Sequence, residues 1–332
     1  MAFYRKAIWF YRGWQEYTND GFVEAEKKFN PEDLDVNLKG KSYIITGATS
    51  GIGKCLTEEI AKRGGTVHMV CRNMQVAEVI RYTLIDETKN EEIYLHVVDM
   101  AYPRSVFQFT QEFREQHSSL DAIIHNAGSM VYTCHVDPDG IEKNFAVNVL
   151  SPHIISRQLV PLLHKSERGR VIFISSGCML VQKLDPTDIQ CQSLKHFDGM
   201  HVYSNNKRQQ VVLAEIYSRE YPQLFCAAMH PGWTDTKGVQ TTMPEFYERM
   251  KERLRSPRQG ADTALWLAIS PAPLRNTSGL FYQDRSAIPT HMPFSFTKPT
   301  LQEEDSFIKQ VDHLMERIGR SRQVKQSSSN SG

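Results

Sequence analysis

The sequence has no surplus of either charge: 39 Lys and Arg against 38 Asp and Glu leave a formal charge of +1. Long-range attraction to nucleic acid therefore has no electrostatic basis. No run of about eighteen apolar residues is present, and the amino terminus has neither the unbroken apolar core nor the small-residue cleavage site of a secretory signal. The expectation is an intracellular chain, not secreted and without a spanning helix. The six cysteines, Cys55, Cys71, Cys134, Cys178, Cys191 and Cys226, are scattered. They form no CxxC pair and show no zinc-ligand spacing, which fits a reducing compartment and no metal site. The twelve histidines contain no HExxH, and no serine stands in a GxSxG elbow, so metallohydrolase and serine-nucleophile chemistry have no signature here. His125, His201 and His230 are read as packing residues or as surroundings of a cofactor. No internal repeat or basic tract is evident.

What is present is alternation. Apolar, β-branched runs at Ser42–Thr46, Thr66–Val70, Ile93–Val98, Ala122–Ile124, Val171–Ile174 and Phe225–Met229 are mostly separated by helical patterns. Buried strands alternating with helices imply right-handed βαβ crossovers. The predicted fold is α/β, a single Rossmann-type doubly wound parallel sheet with helices on both faces. Four segments follow: an aromatic and basic arm over 1–37, the main domain over 38–290, a helical extension over 291–320 and a disordered tail over 321–332. In the arm, Phe3, Tyr4, Ile8, Trp9, Phe10, Tyr11 and Trp14 mingle with Arg5, Lys6 and Arg12. That composition suits a membrane boundary, and equally a segment packed on its own domain or on a sister subunit of a homo-oligomer. Between Pro299 and Ile318, the apolar positions Leu301, Phe307, Ile308, Val311, Leu314, Met315 and Ile318 predict an amphipathic helix.

In sheets of this kind, ligands bind beyond the carboxyl ends of the strands. The loop Thr46-Gly47-Ala48-Thr49-Ser50-Gly51-Ile52-Gly53 follows the first strand. Its glycines permit a tight turn and close approach of backbone to phosphate at the start of a helix. Ser175 and Ser176 close the Val171–Ile174 run, where a hydroxyl can hold a substrate oxygen. Tyr203 and Lys207 lie four apart in a helical segment and share a face. A tyrosine moves protons near neutrality only when its phenolate is stabilised, and a neighbouring ammonium does this.

These motifs resemble the short-chain dehydrogenase/reductase family, in its retinol-dehydrogenase-like branch. The resemblance spans roughly Leu38 to Asp284 and rests on the Thr46, Gly47, Gly51, Gly53 loop, Asn126-Ala127-Gly128, Asn148, Ser176, Tyr203-x-x-x-Lys207 and Pro231-Gly232. It implies an oxidoreductase that interconverts a carbonyl and an alcohol with a nicotinamide cofactor. Thr49, Ser50 and Ile52 would line the pyrophosphate loop, Asp99 would hydrogen-bond near adenine, and Asn126, Ala127 and Gly128 would support the central strand. Lys207 would bind nicotinamide ribose and lower the phenol of Tyr203, and Asn148 would order a water linking Lys207 to solvent. Thr234 or Thr236, after Pro231 and Gly232, would touch the carboxamide. The resemblance favours Ser176 over Ser175 as the substrate contact and leaves an exchange of roles open.

Cofactor preference turns on the end of the second strand, where an acid would receive the NAD ribose hydroxyls and a cation the extra phosphate of NADP. Arg72, followed by Asn73, favours NADP(H) over NAD(H). A long segment, Val181 to Met200, lies between Ser176 and Tyr203 and should border the substrate mouth. Trp233, Met243, Phe246, Tyr247 and Met250 are read as an apolar lid, which points to a small lipophilic carbonyl or alcohol. NAD-dependent alcohol oxidation and a silent cofactor-binding scaffold or redox sensor are the competing readings.

Overall fold

The computed structural model describes residues 2–329, with side chains described from residue 4 to residue 320. The six expected apolar runs form strands β1 (Ser42–Thr46), β2 (Thr66–Cys71), β3 (Ile93–Val97), β4 (Ala122–His125), β5 (Arg170–Ile174) and β6 (Phe225–His230). Two further strands, β7 (Phe281–Gln283) and β8 (Ser286–Ile288), complete an 8-stranded sheet in the order β3-β2-β1-β4-β5-β6-β7-β8. Every neighbouring pair is parallel except β7 with β8. The chain thus begins mid-sheet, runs outward to β3 and returns to β4. That reversal places a crevice between the carboxyl ends of β1 and β4.

Successive strand residues point to opposite faces, so each buried strand feeds two cores. Ile44, Ile123, Val171 and Phe173 pack with Phe109, Ile154 and Val211 on one face. Ile45, Ile124, Ile172 and Ile174 pack with Leu56, Ile60 and Leu265 on the other. Hydrophobic runs without alternating polarity are what a doubly covered sheet requires.

The β7–β8 hairpin turns on Asp284 and Arg285, both at positive φ (49° and 55°). Such two-residue turns usually carry Asn-Gly or Gly. Here each residue is anchored instead: Asp284 pairs with buried Arg255 at 2.6 Å, and Arg285 pairs with Asp262 at 2.6 Å.

The arm folds onto its own domain as helices Ala2–Glu16 and Asn19–Glu26. Tyr17, Thr18 and Phe22 are buried, whereas Tyr4, Phe10, Tyr11 and Trp14 face outward. At the other end the terminal helix is Leu301–Ser329. Its Phe307, Ile308, Val311 and Ile318 are buried, but Leu301 is exposed. Asp312 fixes the helix through Arg157 at 3.1 Å and His153 at 2.9 Å. The helix continues past residue 320, where composition places the start of a tail, and residues 330–332 lie outside those described. Among the described residues, no helix is long and apolar enough to cross a membrane.

Candidate active site

The glycine loop leaves β1 and enters the helix Gly51–Lys62, with Gly47 at φ 68° and Gly51 at φ 51°. Ser50 supplies no side-chain cap to that helix, so its first-turn N–H groups remain available to an anion. A Cβ on Gly53 would lie 2.3 Å from the Gly47 carbonyl and 2.5 Å from Asn126 Nδ2. Only glycine fits there. Thr46 and Asn126 lock the loop to β4: Asn126 and Ala127 backbone N–H groups donate to Thr46 Oγ1 at 3.1 and 3.0 Å. Asn126 Nδ2 donates to the Thr46 and Gly47 carbonyls at 2.9 and 3.0 Å. The side chain of Asn126 is thereby spent on shaping the loop.

Four other expected cofactor residues, Arg72, Asp99, Thr234 and Thr236, follow the ends of β2, β3 and β6. A Cβ on Gly51 would lie 3.2 Å from Thr236 Cγ2, so the segment after β6 covers the glycine loop. Arg72, directly after β2, is exposed and has no ion-pair partner among the described residues, while Asn73 caps the next helix by accepting from the Val76 N–H at 3.0 Å. Asp99, just beyond β3, accepts from the Ala101 N–H at 2.9 Å. Its carboxylate braces its own turn beside the end of β2, where the Val98 N–H donates to the Cys71 carbonyl at 2.9 Å. Thr234 Oγ1 donates to the Pro231 carbonyl at 3.0 Å and serves that turn.

The proposed reacting groups converge at the carboxyl end of β5. Tyr203 and Lys207 share a face of the helix Gly199–Glu220, and Lys207 Nζ lies 5.2 Å from the Tyr203 ring centroid. Lys207 is buried, and its Nζ donates to the Ile174 carbonyl at 2.8 Å and to Gln210 Oε1 at 3.2 Å. No carboxylate among the described residues touches it, and burial pushes its ammonium down to about 8. Burial, with a smaller contribution from Cys178, holds the Tyr203 phenol well above its ordinary value. The two serines are placed differently. Ser175 is buried and its hydroxyl donates to the Lys207 carbonyl at 2.8 Å. Ser176 is half-buried and caps the turn Gly177–Val181, accepting from the Cys178 N–H at 3.3 Å.

Asn148 lies in a π-helical turn, Ala146–Leu150, a local widening frequent at functional sites. Its side chain accepts from the Ser129 N–H at 2.9 Å and donates to the Ser129 carbonyl at 2.7 Å. It also donates to Asn206 Oδ1 at 3.2 Å. A Cβ on Gly128 would fall 3.5 Å from Asn148 Oδ1 and 3.8 Å from Lys207 Nζ, in ordinary contact with both, so Gly128 stands beside these two side chains. Gln210 Nε2 donates to the Asn148 carbonyl at 2.7 Å. One amide therefore spans Asn148 and Lys207.

A family model for short chain dehydrogenase matches residues 41–185. Dehydrogenase/reductase SDR family member 12 of Bos taurus is 47% identical over 318 residues, covering 96% of this chain and 100% of the relative. This chain belongs to the short-chain dehydrogenase/reductase family. Mouse retinol dehydrogenase 13 is 29% identical over 259 residues, covering 74% of this chain and 76% of the relative. Among solved structures, a short chain dehydrogenase of Escherichia coli CFT073 complexed with NADPH aligns with a TM-score of 0.61 at 23% identity, covering 77% of this chain and 100% of that one. The last likeness is one of fold.

In this short-chain dehydrogenase/reductase the motif residues Tyr203, Lys207 and Ser176 gather at the end of β5, together with neighbours that no motif names. Gln210 was detectable, since it follows Lys207 by three residues and so shares its helical face. Tyr17 had no local signal. Its ring stacks edge-on against His230 with centroids 4.2 Å apart, and a Cβ on Gly177 would lie 3.0 Å from its hydroxyl. His230 Nδ1 accepts from the Gly177 N–H at 2.9 Å. The Tyr17 hydroxyl and His230 Nε2 are buried with no hydrogen-bond partner among the described residues. The expected lid residues Trp233 and Met250 are buried with Tyr17, with Trp9, Phe246 and Tyr247 packed against them. The arm is thus part of the roof next to Ser176.

The segment 181–200 is bound down rather than loose. Gln209 donates to the Ile189 carbonyl at 2.7 Å, Gln310 to the Pro186 carbonyl at 2.7 Å, and Lys183 pairs with Glu303 at 2.5 Å. A cavity of about 480 Å³ lies elsewhere, between the arm and the β7–β8 hairpin. It is lined by Arg12, Glu16, Lys28, Gln283 and Arg285 among others, and no residue expected to bind cofactor or substrate borders it.

Proposed function

We propose that this enzyme interconverts a carbonyl and an alcohol on a small lipophilic substrate, using NADP(H) in preference to NAD(H). The observation that carries the reading is the buried Lys207 ammonium beside the Tyr203 ring, one residue layer from Ser176 at the end of β5. The cofactor site fits a dinucleotide. Its glycine cradle has no room for a side chain at Gly53, its helix start has no side-chain cap, and Arg72, without an ion-pair partner among the described residues, stands at the end of β2. The NADPH found in the Escherichia coli relative of like fold supports the same choice.

When bound, the nicotinamide supplies the hydride that adds to the carbonyl carbon. Ser176 and Tyr203 hold the carbonyl oxygen, and Tyr203 gives it the phenolic proton as negative charge develops there. Burial keeps that phenol protonated until the oxygen needs the proton. Lys207 stabilises the phenolate left behind and returns a proton to it. Gln210 and the Asn148 carbonyl fix the direction of the Lys207 Nζ. Ser175, tied to the Lys207 carbonyl, positions the helix, which leaves Ser176 as the substrate contact. In alcohol oxidation the same transfers run backward.

The lipophilic class rests on the roof of Tyr17, Trp233, Phe246 and Tyr247. Melting curves with NADPH and with NADH test the cofactor half, because a ligand that binds only the folded state raises its stability. Selective stabilisation by NADPH is the expected result, and equal stabilisation or none refutes the assignment.

A further inference from the structure

Two segments without a single Asp or Glu, 2–15 and 289–300, meet at one corner of the molecule. The Tyr4 hydroxyl joins them by donating to the Pro293 carbonyl at 3.4 Å. Tyr4, Phe10, Tyr11 and Trp14 face outward from the helix Ala2–Glu16. On the neighbouring loop, Phe294 and Phe296 are 77% and 71% exposed. Both have left-handed backbone, at φ 55° and 52°, a conformation that bulky L residues avoid. The loop is not slack. Ser295 and Thr297, which alternate with the phenylalanines, are buried, and their hydroxyls lie 2.9 Å apart. Thr297 Oγ1 is also 2.9 Å from His291 Nδ1. This network holds strained backbone in place and projects two aromatic rings into solvent. An observed strain of that kind points to function.

Within the two segments the charges have one sign. Lys6 and Lys298 are exposed on the two segments and have no ion-pair partner among the described residues. Arg5 and Arg12 are already engaged, by the Val181 carbonyl and Glu16. Aromatic rings and free ammonium groups on segments that carry no carboxylate complement a surface that is apolar beneath and anionic above.

We propose that this corner docks on an anionic phospholipid surface. Phe294, Phe296 and the outer aromatics of the helix enter the headgroup boundary, while Lys6 and Lys298 face lipid phosphates. The same helix runs into Tyr17, beside Gly177 and Ser176, so the docked element is part of the roof of the candidate active site. That a bilayer-dissolved carbonyl or alcohol enters from this side rests on the catalytic reading above; the docking does not.

Sedimentation with vesicles tests the proposal, using equal parts phosphatidylserine and phosphatidylcholine against phosphatidylcholine alone. The full chain should partition to the anionic vesicles and lose about fivefold per charge in Lys6→Gln and Lys298→Gln. The double variant Phe294→Ser, Phe296→Ser should lose about tenfold or more. NADPH-induced stabilisation, measured on the same samples without lipid, should be unchanged in all variants, so a failed cofactor assignment is seen separately. Quenching of tryptophan fluorescence by brominated lipid, lost in Trp14→Phe, gives a second readout. No partitioning of the wild type, equal partitioning of the phenylalanine variant, or a vesicle-free dimer abolished by that variant overturns lipid docking.

Discussion

Arg255 joins the arm, the loop after β6 and the β7–β8 hairpin, and its removal gives a measurable consequence. Its guanidinium is buried and donates to both Asp284 oxygens at 2.6 and 2.9 Å. It also donates to the Glu16 carbonyl at 2.6 Å and the Thr18 carbonyl at 3.2 Å, at the end of the first arm helix. A Cβ on Gly232 would lie 2.3 Å from Arg255 Nε, so the side chain fills the space beneath the Pro231-Gly232 turn. Arg255→Ala strands the Asp284 carboxylate and removes a donor from the Glu16, Thr18 and Pro231 carbonyls, and breaking a buried pair from one side costs about 3–5 kcal/mol. With roughly 2.1 cal/mol/K of unfolding entropy for each of 332 residues, or roughly 0.7 kcal/mol/K in all, a loss of about 4 kcal/mol lowers the melting temperature by about 6 °C. Calorimetry should show that shift, and trypsin should cut faster after Lys27 and Lys28 as the arm loosens. Arg255→Met combined with Asp284→Leu should recover most of the loss, since no charge is left buried alone. A fall below about 2 °C with the arm still resistant would refute the reasoning.

Other consequences concern the chemistry. Ser176→Ala should lower kcat/KM by about a hundredfold or more, whereas Ser175→Ala should act mainly on stability; steady-state kinetics with melting curves separates the two. In the proposed mechanism carbonyl reduction depends on the Lys207 ammonium, which burial brings down to about 8, so the rate should fall as pH rises through that value; a flat profile well into the alkaline range contradicts the role. Gln210→Leu should lower kcat more than it raises KM and shift that alkaline limb, because the amide orients Lys207 without touching substrate. Arg72→Ala should weaken NADPH about tenfold or more and leave NADH unchanged, as expected for one lost charge-assisted contact; titration calorimetry distinguishes this from a general loss.

The parallel strands were legible because a doubly covered sheet writes itself as continuous apolar runs, each bounded by turn residues. The glycine loop, Tyr203 and Lys207 were legible because their spacing has local geometric meaning. β7 and β8 were not: they are three residues each, and their turn is Asp284-Arg285 rather than a glycine-bearing pair. Only distant partners, Arg255 and Asp262, make that turn tenable. The arm shows the same limit. Its amphipathic composition leaves membrane, partner and self-packing equivalent, and the structure divides the residues: Tyr17 and Phe22 turn inward while Tyr11 and Trp14 turn outward. Ser175 and Ser176 are adjacent in sequence, yet only the fold gives one hydroxyl to the Lys207 carbonyl. Long-range contacts, rather than propensity, decided each of these points.

The central claim is that Tyr203 delivers the proton in a hydride transfer from NADPH. Loss of NADPH absorbance, followed with a panel of lipophilic aldehydes and ketones for the wild type and Tyr203→Phe, tests it most directly. The account predicts turnover by the wild type with at least one carbonyl, and a fall of about a hundredfold or more in the variant. The variant should still be stabilised by NADPH. A Tyr203→Phe protein that turns over at the wild-type rate, or a wild type that binds NADPH and reduces none of the panel, would contradict the account.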